Sequence, residues 1–207
     1  DTETLELPYK SAITNPVSHD LDPHARISLA SESWLEMMGG MFQRFCREFS
    51  KTPESARVAA IQIANGVCGE NHYWAFVKHD PDVSPPMQQF FRRWLTEKYQ
   101  TDQALQTAWN NPGVTLETAE VPGMERNRTQ AGIFHDPKQE RQIIDYYECQ
   151  SKAVTNSILH FAKIVKENWP RDIVVGTFYG YYLSLFGRHS SGGHLLEAEL
   201  LVLAFWT

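Results

Sequence analysis

Residues 58–76 read VAAIQIANGVCGENHYWAF, and the first seven of them decide how the rest of the chain is organised. Val58, Ala59, Ala60, Ile61, Gln62, Ile63 and Ala64 form a short run rich in apolar and β-branched residues. The polar stretch 51–57 precedes it and Gly66 stops it, which is how a buried strand is bounded. A loop leaving the carboxyl end of a buried strand is held by a rigid scaffold, and α/β proteins set binding and catalytic groups there. In this chain that loop carries a single carboxylate, Glu70, between Gly69 and the cluster Asn71, His72, Tyr73 and Trp74.

Helical periodicity flanks the strand on both sides. Upstream, Ser31-Glu32-Ser33 marks a helix start, and Trp34, Leu35, Met38, Met41, Phe42, Phe45, Cys46 and Phe49 recur at intervals of three and four. Downstream, Ser84-Pro85-Pro86 opens a helix with Met87, Phe90, Phe91, Trp94, Leu95 and Tyr99 on one face, since proline suits a first turn. A short helix over 102–109 follows Thr101. Residues 110–136 contain Pro112, Gly113, Pro122, Gly123 and Gly132, and they predict a long irregular connection of the kind that helps cover a site. With Asp136 as N-cap, the spacing of Ile143, Ile144, Tyr147, Val154, Ile158, Phe161, Ala162 and Val165 predicts one long helix ending near Asn168-Trp169-Pro170. A second buried strand, residues 172–179 (DIVVGTFY), comes directly after it and is broken by Gly180.

Strands alternating with helices predict parallel βα units. A lone parallel pair leaves its sheet without enough neighbours on faces and edges, so the expected fold class is α/β, a partial (β/α)8 barrel, in one partial domain over 1–207. A complete barrel takes about 250 residues. Residues 1–30 read as a loop or connection, and residues 195–207, closing on the apolar run 200–207, read as a truncated tail.

Composition narrows the function. With 42 % hydrophobic and 12 % aromatic residues the chain falls in the globular class. A formal net charge of −6, with no long basic run, argues against a nucleic-acid partner, which needs concentrated positive charge to replace counterions. Cys46, Cys68 and Cys149 are scattered, without metal-ligand spacing, and are expected to be reduced thiols; no metal and no cofactor are expected. No apolar stretch of about 18 residues suggests a membrane span. The start at Asp1 is uninformative about cytoplasmic or exported localisation.

A lone glutamate on a loop is ordinarily solvated or caps a turn. Aromatic neighbours change its chemistry: His72, Tyr73 and Trp74 lower the local polarity and raise a carboxyl pKa toward the range of a general acid. The second strand end carries Phe178, Tyr179, Tyr181 and Tyr182. Core packing accounts for such aromatics in many proteins, but two aromatic-rich ends of parallel strands face one rim, where they form a ligand cleft. Tyrosine and tryptophan faces stack on the apolar faces of sugars. The loop Arg188–His194 lacks phosphate-binding spacing.

The succession AAIQIANGVCGENHYWAF, FFRRWLTEKYQTDQALQTAWN, HDPKQERQIIDYYECQ and IVVGTFYGYY resembles the catalytic barrel of β-galactosidase-like glycoside hydrolases, in the family 42 neighbourhood of the retaining (β/α)8 clan. The resemblance covers most of residues 27–194. It implies that residues 58–64 and 172–179 are the fourth and fifth barrel strands, with 31–194 forming the βα units around them. It further implies that Glu70 is the acid/base of a retaining β-galactosidase acting on terminal β-D-galactosyl residues. Asn65, Asn71, His72, Tyr73, Trp74, Tyr179 and Tyr181 would then bind the substrate. The family pattern has Asn immediately before the acid/base, whereas Gly69 precedes Glu70 here and Asn71 follows. Either Asn65 or Asn71 takes over the contact to the sugar 2-hydroxyl, or this subgroup manages without it. The nucleophile is expected on a later strand that this chain does not contain, so the chain alone is expected to be inactive. The resemblance also suggests self-association into a homo-oligomer. Alternatives of other classes are a non-catalytic carbohydrate-binding or scaffolding remnant of such a barrel, and a purely structural fragment.

Overall fold

Ser31 opens the first helix as the sequence predicts: its hydroxyl accepts the Trp34 N–H at 3.0 Å, so one of the unpaired amides of the first turn is satisfied. The computed structural model of the chain describes residues 27–65, 71, 82–122 and 135–178. In order they form α1 (Glu32–Phe49), a short 3-10 turn (Pro53–Arg57), β1 (Ala60–Ile63), α2 (Pro85–Tyr99), α3 (Asp102–Trp109), α4 (Arg141–Asn168) and β2 (Val174–Thr177). Both strands are shorter than the expected 58–64 and 172–179.

Strands β1 and β2 are adjacent and parallel, with Ala60 opposite Val174 and Ile63 opposite Thr177. Alternation separates their two faces. Ile61, Ile63 and Val175 pack with Cys46, Phe161, Val165, Trp169 and Ile173 beneath α1 and α4. On the opposite face Ala60 and Gln62 are exposed, as are Val174 (65 %) and Phe178 (58 %). Parallel sheets are normally covered on both sides, whereas this face lies open among the described residues.

The second core is built around α2 and α3. Met87, Phe91, Leu95, Leu105, Tyr146 and Cys149 are buried together, and Phe91 meets Tyr146 edge-on at 6.0 Å. The helix α4 has 28 residues, a length of about 42 Å. Its first half joins the α2–α3 core and its second half joins the strands. At the crossing with α1, Gly39 lies so close to α4 that a Cβ there would stand 2.5 Å from His160 Nε2.

Two sequence expectations need correction. Met41 and Phe45 do not face the core; they are 62 % and 50 % exposed on a flank of α1, because the stripe that meets α4 and the sheet runs through Trp34, Leu35, Met38, Phe42, Cys46 and Phe49. Asp136 does not cap α4. Its carboxylate accepts the Lys138 N–H at 2.9 Å and its carbonyl accepts the Glu140 N–H at 2.7 Å. That local turn competes with a cap, so the helix begins after Glu140. The described part of the 110–136 connection, residues 110–122, is irregular as expected and is packed in place: Val114, Ala119 and Val121 are buried in the α2–α3 core, and Arg92 Nε donates to the Ala119 carbonyl at 2.8 Å. Cys46 and Cys149 are free and buried, and burial pushes both thiols above their ordinary range; Cys68 lies outside the described residues. No described helix is long and apolar enough to cross a membrane.

Candidate active site

The loop that follows β1 begins at Asn65 and is next described at Asn71, and these two residues are bonded to each other. Asn71 is fully buried. Its Oδ1 accepts the Asn65 N–H at 3.1 Å, and its Nδ2 donates to the Ile63 carbonyl at 2.9 Å and to the Thr177 hydroxyl. The Thr177 hydroxyl passes its own hydrogen to the Ile63 carbonyl at 3.0 Å. The orientation of the amide is forced: exchanging its oxygen and nitrogen would set two acceptors against each other at Ile63 and two donors at Asn65. The Asn71 main-chain N–H completes the knot by donating to the Phe178 carbonyl at 3.1 Å. Residue 71 is thus tied to the carboxyl ends of both strands at once.

Asn65 is anchored from the other side. Its Nδ2 donates to Ser157 Oγ at 3.2 Å, and Ser157, buried on α4, donates to the Val154 carbonyl at 2.9 Å. Of the sequence-predicted site residues the structure therefore brings Asn65 and Asn71 together. Glu70, His72, Tyr73, Trp74, Tyr179 and Tyr181 lie outside the described residues. The side chain of Asn71 is bonded within the protein rather than opening onto a surface.

Sequence reasoning missed the groups that support this rim. Thr177 and Ser157 carry no signal in a single sequence, because a threonine in a strand and a serine in a helix are ordinary. Asp82 did leave one. Asp82-Val83-Ser84-Pro85 has the form of a side-chain-closed turn ahead of a helix. In the fold Asp82 is buried at φ 79°, accepts from Ser28 Oγ at 2.6 Å and from the Ser84 N–H at 3.2 Å, and receives the Tyr146 hydroxyl on its carbonyl at 3.2 Å. The segment returning from the β1 loop is thereby fixed to the residues before α1 and to α4.

A parallel strand pair backed by helices, with polar side chains gathered at the carboxyl ends of its strands, is an α/β arrangement of the kind from which barrels are built. The profile of the glycoside hydrolase family 42, described as β-galactosidase, matches residues 27–190; the chain belongs to this family. Among solved structures it is similar to the β-galactosidase of the psychrophilic Marinomonas ef1, at 23 % identity and a TM-score of 0.54 over 76 % of this chain and 22 % of that one. It is also similar to the β-galactosidase of Bacillus circulans sp. alkalophilus, at 17 % identity and a TM-score of 0.59 over 78 % of this chain and 22 % of that one. The catalytic domain of β-amylase from Paenibacillus polymyxa superposes over 99 % of this chain and 50 % of its own, with a TM-score of 0.70 at 12 % identity. At these identities the likeness is one of fold. The chain spans 22 % of the length of the two β-galactosidases. No curated protein sequence matches it.

Proposed function

We propose that the chain is the part of a retaining β-galactosidase barrel that carries the acid/base, with β1 and β2 as the fourth and fifth strands of a single domain and Glu70 as the proton donor. The observation that carries this reading is the family match over residues 27–190, which spans the Glu70 loop. The tie of Asn71 to Ile63, Thr177 and Phe178 supports it: Glu70 precedes a residue held at the carboxyl rim, the side of a barrel where catalytic groups reside. In this reading Glu70 protonates the glycosidic oxygen as the bond to the galactosyl carbon breaks. A second carboxylate, contributed by a later strand of the whole enzyme and about 5–5.5 Å away, takes the sugar as a covalent ester. Glu70, now ionised, draws the proton from the water that releases galactose. His72, Tyr73, Trp74, Tyr179 and Tyr181 supply the aromatic walls of the sugar site, and Asn65 lies at its edge.

The test is Glu70→Gln in the full-length protein. The amide keeps the shape but has no proton to give, so a methyl β-galactoside is expected to lose about 10²–10⁴-fold in kcat/KM, the usual worth of general acid catalysis. A nitrophenyl galactoside, whose leaving group departs without much help, is expected to form the glycosyl-enzyme and stall until azide, which needs no base, releases it. Equal losses on both substrates without azide rescue would remove Glu70 from the role.

A further inference from the structure

Asn71 was a candidate for contact with the sugar, yet its carboxamide is fully buried and bonded to Ile63, Thr177 and Asn65. Its main chain is bonded to Phe178. Such an arrangement fixes both the side chain and the backbone of one residue against two strand ends. Consecutive Cα atoms are about 3.8 Å apart, so whatever fixes residue 71 limits where the preceding residue can stand. Resting on the reading of Glu70 as acid/base, we propose that Asn71, with Thr177 as its partner, is the positioning residue for that acid/base, a latch across the β1 and β2 ends in place of a sugar contact.

The physical demand is strict. A general acid works within about 2.6–3.2 Å of the atom it protonates, and a displacement of about 1 Å costs roughly 10²-fold. The latch meets that demand with short, rigid groups. Thr177 Oγ1 accepts from Asn71 while donating to Ile63, so its hydroxyl closes a ring of bonds between the strands that a methyl group cannot close. Asn65 extends the ring to Ser157 on α4, which connects the rim to the longest helix of the described residues.

A latch and a sugar contact predict different kinetics. In the full-length protein, Asn71→Ala is expected to lower kcat for methyl β-galactoside by about 10–10²-fold, with KM within about threefold and a smaller loss of glycosylation rate on nitrophenyl galactoside. Thr177→Val, nearly isosteric, should move kcat in the same direction by less. Thr177→Ser, which keeps the hydroxyl, should restore most of the wild-type rate, and a role in packing alone would not distinguish these two variants in that order. If Asn71→Ala does not fold, the Thr177 pair decides alone. A rise in KM with equal losses on both substrates would assign Asn71 to the sugar and overturn the latch. Unchanged kinetics, or equal rates in Thr177→Val and Thr177→Ser, would overturn it too. Glu70→Gln is measured alongside: leaving-group-dependent loss there with none in the latch variants refutes the latch alone, whereas its absence refutes the acid/base reading and the latch with it.

Discussion

Replacing Asp145 by Asn is the strongest test of what holds the helices behind the site. Asp145 is fully buried on α4, and donors from three helices converge on it. Its Oδ1 accepts from Lys98 Nζ at 3.0 Å and from Arg141 Nε at 2.9 Å; its Oδ2 accepts from the Tyr99 hydroxyl at 2.6 Å and Trp109 Nε1 at 2.7 Å. Asparagine has the same size, but whichever end its amino group takes, that group points hydrogens at a donor. Turned toward Oδ2 it opposes the Trp109 N–H; turned toward Oδ1 it opposes Arg141 and Lys98. Removing one partner of a buried ion pair typically costs about 3–5 kcal/mol, and the lost bonds to a charged group, each about 1.5–3 kcal/mol, are of a size to produce that loss. In a protein of this length about 2–4 °C of melting temperature corresponds to each kcal/mol, so a fall of roughly 6–20 °C is expected in a thermal melt followed by circular dichroism. Glu148 is the internal control. It also pairs with Lys98 and Arg141, but its side chain is 33 % exposed, and such a pair is worth at most about 1 kcal/mol. A drop for Asp145→Asn no larger than that for Glu148→Gln would refute the account of Asp145 as the point that joins α2, α3 and α4.

Tyr99 is pushed up to about 12, first by burial and then by its bond to the Asp145 carboxylate. A raised folded-state value means that its stabilising contribution is complete below its unfolded value of about 10 and is lost as pH climbs toward 12; a pH series of melts should show this decline, and Tyr99→Phe should flatten it. Gly39→Ala should destabilise by about 1–3 kcal/mol through overpacking, although alanine favours a helix interior by about 1 kcal/mol. The reason is that the new Cβ, 2.5 Å from His160 Nε2, displaces a ring bonded to the Leu35 carbonyl at 3.0 Å. A more stable Gly39→Ala, or no recovery in the double variant with His160→Ala, would contradict the crossing.

Much of the fold was legible because its signals are local. Ser31 and Thr101 cap their helices through their own side chains, Pro85 and Pro86 occupy the first turn of α2, and the β-branched run Ile173–Val175 sits where a strand needs it. What the sequence hid was set by tertiary neighbours. Met41 and Phe45 share the helical period of the core stripe, and only the position of α4 decides that they stay outside. The cap of α4 went to Glu140 because Asp136 satisfied a nearer turn. At the site, the strand and its loop could be read from periodicity, Asn71 could be singled out as a polar group beside a carboxylate, and Asn65 through the family resemblance. Their roles could not, since the partners Thr177 and Ser157 lie 106 and 92 residues away.

These two polar centres sit on different halves of α4, and that separation makes their functions distinguishable. The Asp145 centre belongs to the first half, among α2, α3 and the 110–122 loop; the Asn71 latch reaches α4 at Ser157, beside the strands. From residue 145 to 157 is about 18 Å along a helix, and effects of sites so far apart without shared partners usually add. Asp145→Asn should therefore lower the melting temperature while leaving the ratio of alkyl to nitrophenyl galactoside rates unchanged. Thr177→Val should shift that ratio and cost less stability than Asp145→Asn, about 1–3 kcal/mol for the hydrogen of the buried Asn71 amide that it leaves unbonded. The double variant in the full-length protein should show both effects in full. A rate ratio that moved with Asp145→Asn would mean that α4 shifts as one rigid rod and that the latch is set from the helix layer, not from the strand ends.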